Sequence, residues 1–168
     1  MYFTNTMFPL ALVAAPIFAL PFDESSNDLV ARADKYTCKP ENNESDVKSF
    51  TVSEKRAEEQ VKVAMFTAGT SGDPHQYGNG DGIKWGVKGC DKKGDKKNQL
   101  YEYPIFWDTA KMEWKKDELS KTQEKTPLRV VYFEDKGNSN RPKICGVMTH
   151  SKVEKNFQGT AFFQKCKD

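Results

Sequence analysis

Four cysteines, Cys38, Cys90, Cys145 and Cys166, constrain this chain more than any other feature. An even number of cysteines in a small exported protein reads as a disulfide framework, and such bridges form only where distant segments are brought side by side. Four cysteines allow three pairings, and spacing alone does not choose among them. Metal binding is the other common use of cysteine. Here no two cysteines lie close together in sequence and the chain has only two histidines, so the ligand spacing of a zinc site is missing. No metal or other cofactor is expected.

The disulfide reading requires export, and the N-terminus supplies a reason to expect it. Phe8 to Leu20 is an unbroken run of 13 apolar or small residues, too short to span a bilayer and suited to the core of a signal peptide. Pro9 and Pro16 argue against a buried helix there. Residues 1–20 are therefore read as a signal peptide, and the polar, acidic residues 21–32 as a candidate pro-segment ending at Arg32. The mature chain, 33–168, would have 136 residues, enough for one modest core and one domain. It would carry 25 basic against 21 acidic residues, a formal charge of about +4.

Within that domain one strong helix is expected over 52–68. Ala57, Val61, Ala64, Met65 and Ala68 form one stripe, Thr51 and Glu54 have capping-box spacing, and Gly69 is a natural stop. Before it, short apolar groups flank the turn KPENNES, which suggests an N-terminal β-hairpin with the sequon Asn43-Glu44-Ser45 at an exposed turn. Residues 69–98 read as loop. Four strand candidates follow: Leu100–Phe106, Leu128–Phe133, Ile144–His150 and Thr160–Lys165. One helix followed by a run of strands predicts an α+β fold, with the helix packed on a central antiparallel sheet.

Chemistry-bearing side chains are few. His75 lies in a Gly/Pro-rich segment, His150 ends a strand-like run, Glu102 interrupts an aromatic strand, and Arg129 begins another. Taken singly, each has an ordinary reading as a surface charge. Together they are the groups needed to cleave RNA through its own 2′-hydroxyl. One group takes the hydroxyl proton, one protonates the leaving 5′-oxygen, and a cation holds the charge building on phosphorus.

The segments YEYPI, RVVYF and GVMTH, in that order, with Tyr36-Thr37-Cys38 near the mature start, resemble the catalytic strands of the guanyl-specific fungal RNases of the T1 family. The cysteine placement resembles the ribotoxins, the α-sarcin and restrictocin family. SGDPHQY, IKWGV followed by CD, CGVMTHSKVEKNFQG and FFQKC are most similar to its small insect-pathogen members, hirsutellin A and anisoplin.

The resemblance implies a microbial RNase T1-like fold with bridges Cys38–Cys166 and Cys90–Cys145. It also implies roles: Glu102 as general base, His150 as general acid, Arg129 as phosphate ligand, and a cationic His75 beside Glu102. Tyr132 would contact phosphate and Phe163 would pack near His150. Asp73, where larger ribotoxins carry Tyr, would alter the protonation of its neighbours. Between His75 and Glu102 lie 26 residues that include Lys84, Lys88, Lys92, Lys93, Lys96 and Lys97. Charge alone reads these lysines as a solvated loop; the family reading makes them an RNA- and ribosome-binding loop.

The implied partners are the ribosome, with the sarcin–ricin loop of its large-subunit RNA, and acidic phospholipid membranes crossed to reach the cytosol of a target cell. A monomer is the default for a small diffusing toxin. An insecticidal role follows from the same likeness. The alternatives are a general guanyl-preferring extracellular RNase and a non-catalytic secreted effector with an RNase-like fold. Trp85 is expected in the core, while Trp114 fits either a core or a membrane interface.

Overall fold

The computed structural model describes residues 34–91, 98–137 and 141–168. The expected signal peptide and pro-segment, and Lys92, Lys93, Lys96 and Lys97, lie outside the described residues. β1 (Lys35–Cys38) and β3 (Phe50–Ser53) pair antiparallel as the N-terminal hairpin. An α-helix follows, α1 (Glu54–Ala64), the one α-helix among the described residues. The main sheet runs β2-β7-β6-β5-β4, with β8 also on β7. Its strands are β2 (Asn42–Asn43), β4 (His75–Tyr77), β5 (Leu100–Ile105), β6 (Leu128–Asp135), β7 (Arg141–Val153) and β8 (Gly159–Lys165).

The expected α+β architecture is present, with one qualification. Asn42–Asn43 pair parallel to Lys152–Val153, so the sheet is mixed rather than purely antiparallel. A second difference is β4, which falls inside the stretch read as loop. Three residues are too few to display a period-two pattern, and β4 exists because β5 offers it an edge to pair with.

The helix is shorter than its apolar stripe suggested. Ser53, not Thr51, is the N-cap; its Oγ accepts from Arg56 N at 3.3 Å. The Asp108 carboxylate in turn accepts from Ser53 N at 3.0 and 3.1 Å and from the Ser53 hydroxyl at 3.1 Å. At the other end Met65 takes a positive φ of 50°, so the helix stops four residues before Gly69. Tertiary donors satisfy the freed carbonyls: Lys116 Nζ reaches Ala64 O at 2.9 Å and the Tyr132 hydroxyl reaches Met65 O at 2.5 Å. Ala57, Val61 and Ala64 are buried, whereas Met65 and Ala68 are exposed. Gly69 has another use: a Cβ there would lie 2.6 Å from the Lys116 carbonyl oxygen.

The sheet is covered on both faces. On one, Leu128, Val130, Tyr132, Tyr103 and Ile105 pack against α1 and the hairpin. On the other, Leu100, Val131, Phe133 and Met148 meet Ile83 and Trp85 from the loop after β4. Trp85, Trp107 and Trp114 are all buried, which answers the open question about Trp114 in favour of the core. The Asn43 carboxamide is engaged by its own turn, with Nδ2 donating to Val47 O at 2.7 Å and Oδ1 accepting from Ser45 N at 3.0 Å. The disulfides are Cys38–Cys166 and Cys90–Cys145.

The Asp108 relay couples the start of the helix to a turn 55 residues away. Asp108→Ala should lower unfolding stability by about 2 kcal/mol, the scale of hydrogen bonds to a charged acceptor. Urea denaturation measures this, and an unchanged midpoint would mean that the relay is energetically idle.

Candidate active site

Alternation along each strand sorts the candidate residues. In β5, Tyr101, Tyr103 and Ile105 pack on the helix side, which turns Glu102 to the opposite face. In β6, Leu128 and Val130 take the helix side, and Arg129, between them, faces away. His75 stands directly across from Glu102 in the β4–β5 register. On β7, His150 is two residues beyond Met148, which belongs to the cluster on the far face, and it pairs with Phe163 of β8. Four strands and the edge strand β8 thus deliver His75, Glu102, Arg129, His150 and Phe163 to the sheet face away from α1.

The charged groups there are close: Asp73 is buried, Glu102 and Arg129 are partly buried, and His75 is exposed. His75 Nδ1 is 3.9 Å from Glu102 Oε1 and 3.5 Å from Asp73 Oδ1. The second carboxylate oxygen of Glu102, Oε2, is buried and has no hydrogen-bond partner among the described residues. Arg129 Nη1 donates to Leu128 O at 2.9 Å and to Thr126 O at 3.1 Å. These bonds aim the guanidinium and leave further donors free.

His150 is oriented from three sides. Its Nδ1 lies 3.2 Å from Ala161 O, an acceptor only, so that nitrogen carries the proton and Nε2 is left for other work. The Phe163 ring packs on the imidazole with centroids 3.9 Å apart. Gly159 closes the third side, where a Cβ would fall 2.2 Å from His150 Cδ2.

Burial pushes the Glu102 carboxyl above the usual range, against the opposing pull of Arg129 and His75, with Asp73 and Asp81 adding to the rise. Burial pushes His150 the other way, downward, and Arg129 contributes to that fall while the Ala161 carbonyl resists it. Arg129 is itself lowered by burial and is supported as a cation by Glu102 and Asp73. An acid and a base with pKa values driven toward each other, on either side of a fixed cation, form a constellation suited to proton transfer at a phosphate.

A sequence model of the ribonuclease family matches residues 38–167. The chain belongs to the ribonuclease family. The chain is 29% identical to ribonuclease clavin of Aspergillus clavatus over 169 aligned positions, covering 85% of this chain and 89% of that protein. It is 44% identical to hirsutellin A from Hirsutella thompsonii. That solution structure superposes with a TM-score of 0.64, over 80% of this chain and all of the other. Restrictocin, an Aspergillus ribotoxin, shares the fold at 24% identity and a TM-score of 0.60, over 80% of this chain and 99% of its own. The endoribonuclease activity and the ribotoxin likeness expected from the sequence both stand.

One assigned residue of this ribonuclease sits elsewhere. Tyr132 is on the helix side of the sheet, fully buried, with its hydroxyl committed to Met65 O. Alternation forces this, because Arg129 and Tyr132 are three apart in one strand and so fall on opposite faces. The expected Tyr132–phosphate contact is corrected accordingly: the residue supports the end of α1 from behind the site. Phe163 packs on the His150 imidazole. Asp73 is buried beside His75, and its Oδ2 accepts from Trp114 Nε1 at 2.9 Å.

Lys84 and Lys88 are exposed in the loop after β4. That loop is structured at its base. The Asp91 carboxylate accepts from Trp85 N at 2.7 Å and Gly86 N at 2.6 Å, and Cys90 is tied to β7. Asp91 is thus a clamp on this loop. Gly159 and Ala161, which shape the setting of His150, carried no signal in sequence, because one acts through a missing side chain and the other through its carbonyl.

The space at Gly159 yields a prediction. Gly159→Ala should leave the protein folded but displace the imidazole, lowering RNA cleavage by about 10²-fold, the usual cost of moving a catalytic group by about 1 Å. Cleavage rates read beside the melting temperature check this; full activity in the variant would show that His150 does not need this position.

Proposed function

We propose that this ribonuclease is a secreted ribotoxin that cuts one phosphodiester bond in the sarcin–ricin loop of large-subunit ribosomal RNA and so halts translation. The observation that carries the chemistry is a pair of vacant proton-transfer atoms on one sheet face: the unpartnered Glu102 Oε2 and His150 Nε2, whose Nδ1 is engaged.

Glu102, as carboxylate, takes the proton of the 2′-hydroxyl. The 2′-oxygen bonds to phosphorus, and the bond to the 5′-oxygen breaks as His150, as imidazolium, gives that oxygen its Nε2 proton. The product is a 2′,3′-cyclic phosphate. Water then opens it, with His150 accepting a proton and Glu102 returning one. Arg129 binds a non-bridging oxygen and holds the charge that grows there. His75, 3.9 Å from Glu102 Oε1, opposes the rise that burial imposes on the Glu102 carboxyl.

The exposed Lys84 and Lys88 belong to the surface that meets ribosomal RNA, with the lysines that follow them. The same charge attracts acidic phospholipids on the way to the cytosol of an insect target cell, and the protein acts as a monomer. Because all three tryptophans are buried, lipid attraction rests on lysine charge rather than on an aromatic anchor.

Incubation with a cell-free translation extract tests the whole reading. One discrete fragment from the 3′ end of the large-subunit RNA, with translation stopped, is the expected result. Diffuse degradation would indicate a general guanyl-preferring RNase, and intact RNA a non-catalytic effector. In the same extract Glu102→Gln and His150→Gln should each cost about 10²–10⁴-fold in cleavage, the range of a general acid or base. Retained cleavage in either variant would remove that residue from its role.

The pH dependence has a definite sign. Glu102 must be ionised, and its pKa is raised, so the acidic limb of kcat/KM should lie above that of an ordinary carboxylate. His150 must be protonated, and its pKa is lowered, so the alkaline limb should lie below that of an ordinary histidine. The result is a narrow bell with a weakly acidic optimum. Arg129 lowers both groups, so Arg129→Gln, though slower, should move both limbs to higher pH. Initial rates on the dinucleoside phosphate GpA decide this; a broad plateau through neutral pH would contradict the assignment.

A further inference from the structure

Asp73 stands out in a search of the whole molecule because it is a carboxylate only 4% exposed, immediately beside the reacting groups. A charge so far from water needs donors. On Oδ1 it faces His75 Nδ1 at 3.5 Å. On Oδ2 it accepts from the indole Nε1–H of Trp114 at 2.9 Å, a bond between two buried side chains 41 residues apart.

We propose that Trp114 is a positioning residue of the catalytic centre. Its indole N–H holds Asp73 Oδ2, which keeps Oδ1 against His75 and so fixes the imidazole beside Glu102. The proposal rests on the roles given above to His75 and Glu102.

The surroundings of Trp114 make it a rigid donor. Its own carbonyl accepts from the Tyr103 hydroxyl at 3.1 Å, which ties it to the strand that carries Glu102. Two residues on, Lys116 O accepts from Ser71 N at 2.9 Å and Lys116 Nζ caps Ala64 O. Ser71 Oγ in turn accepts from Asp73 N at 3.0 Å, and Gly69 lies against Lys116 with no room for a side chain. The long connection between β5 and β6 therefore grips the segment leading into β4 at several points. Only the indole bond reaches the carboxylate that faces His75. A tryptophan that served only to fill the core would need its ring but not its N–H.

Trp114→Phe keeps the aromatic body and deletes the donor. On GpA it should lower kcat about tenfold, the worth of one hydrogen bond to a charged group, with KM little changed. In an Asp73→Ala background the same substitution should cost nothing further, because the acceptor that Trp114 holds is already gone. A purely packing role would instead give losses that multiply. The Trp114 indole N–H resonance supplies a second readout without altering Trp114 itself: Asp73→Asn should move it upfield.

Unchanged kcat in Trp114→Phe, multiplying losses, or an indole resonance indifferent to Asp73→Asn would each overturn the proposal. Glu102→Gln in the same assay separates the two levels. If Glu102→Gln is inactive while Trp114→Phe is normal, only the role of Trp114 fails. If Glu102→Gln is active, the catalytic reading beneath it fails.

Discussion

The partly buried cation Arg129 is the constraint on which the rest of the site depends. A guanidinium out of water is tolerated only if its donors are used and opposite charge is near. Two backbone carbonyls, of Thr126 and Leu128, take one edge, and Glu102 and Asp73 supply the charge. That requirement brings two carboxylates onto the same face, and they in turn need donors of their own. His75 stands between them, and Trp114 satisfies the far oxygen of Asp73. One oxygen of Glu102 remains without a partner among the described residues, and it is the atom the proposed chemistry needs. The site is thus a nearly closed electrostatic network with its open valence at the reacting centre.

A sheet covered on both faces makes this network possible. α1 and the hairpin cover one face, and the larger cluster of buried apolar side chains is concentrated there. The opposite face combines a smaller apolar cluster around Trp85 with the charged groups. The disulfides sit where this division needs support. Cys90–Cys145 ties the loop bearing Trp85 to β7, and Cys38–Cys166 ties the hairpin to the end of β8, the strand that carries Phe163 and the Ala161 carbonyl. With separations of 128 residues for Cys38–Cys166 and 55 for Cys90–Cys145, chain entropy assigns these bridges about 5 and about 4 kcal/mol respectively, on the usual loop-closure model. The Cys38–Cys166 cross-link therefore anchors the strand that positions His150.

Much was legible before any coordinates. The strand candidates matched β5 to β8 in place, differing mainly at their ends, because alternating and β-branched runs on a two-sided sheet leave a strong signal. Of the four chemistry-bearing residues, the two histidines were visible as a rare residue type, and Glu102 and Arg129 as charges in otherwise apolar strands. Illegible were the helix ends, set by Asp108 and Lys116 from far away in sequence. So were β4, which depends on a neighbour's edge, and the side of the sheet that Tyr132 occupies.

The sequence by itself determined which groups this protein has for its chemistry, that its cysteines are suited to bridges, and that its class is one helix on a sheet. These follow from composition and local periodicity, which depend only on a residue and its near neighbours. The tertiary structure alone decided which face each group shares, which oxygen of Glu102 stays free, and which nitrogen of His150 is engaged. It also decided that Trp114 is bonded to Asp73 rather than exposed. Each of those is a relation between segments tens of residues apart, and only the pairing register and the packing of the folded chain bring such atoms within hydrogen-bonding distance.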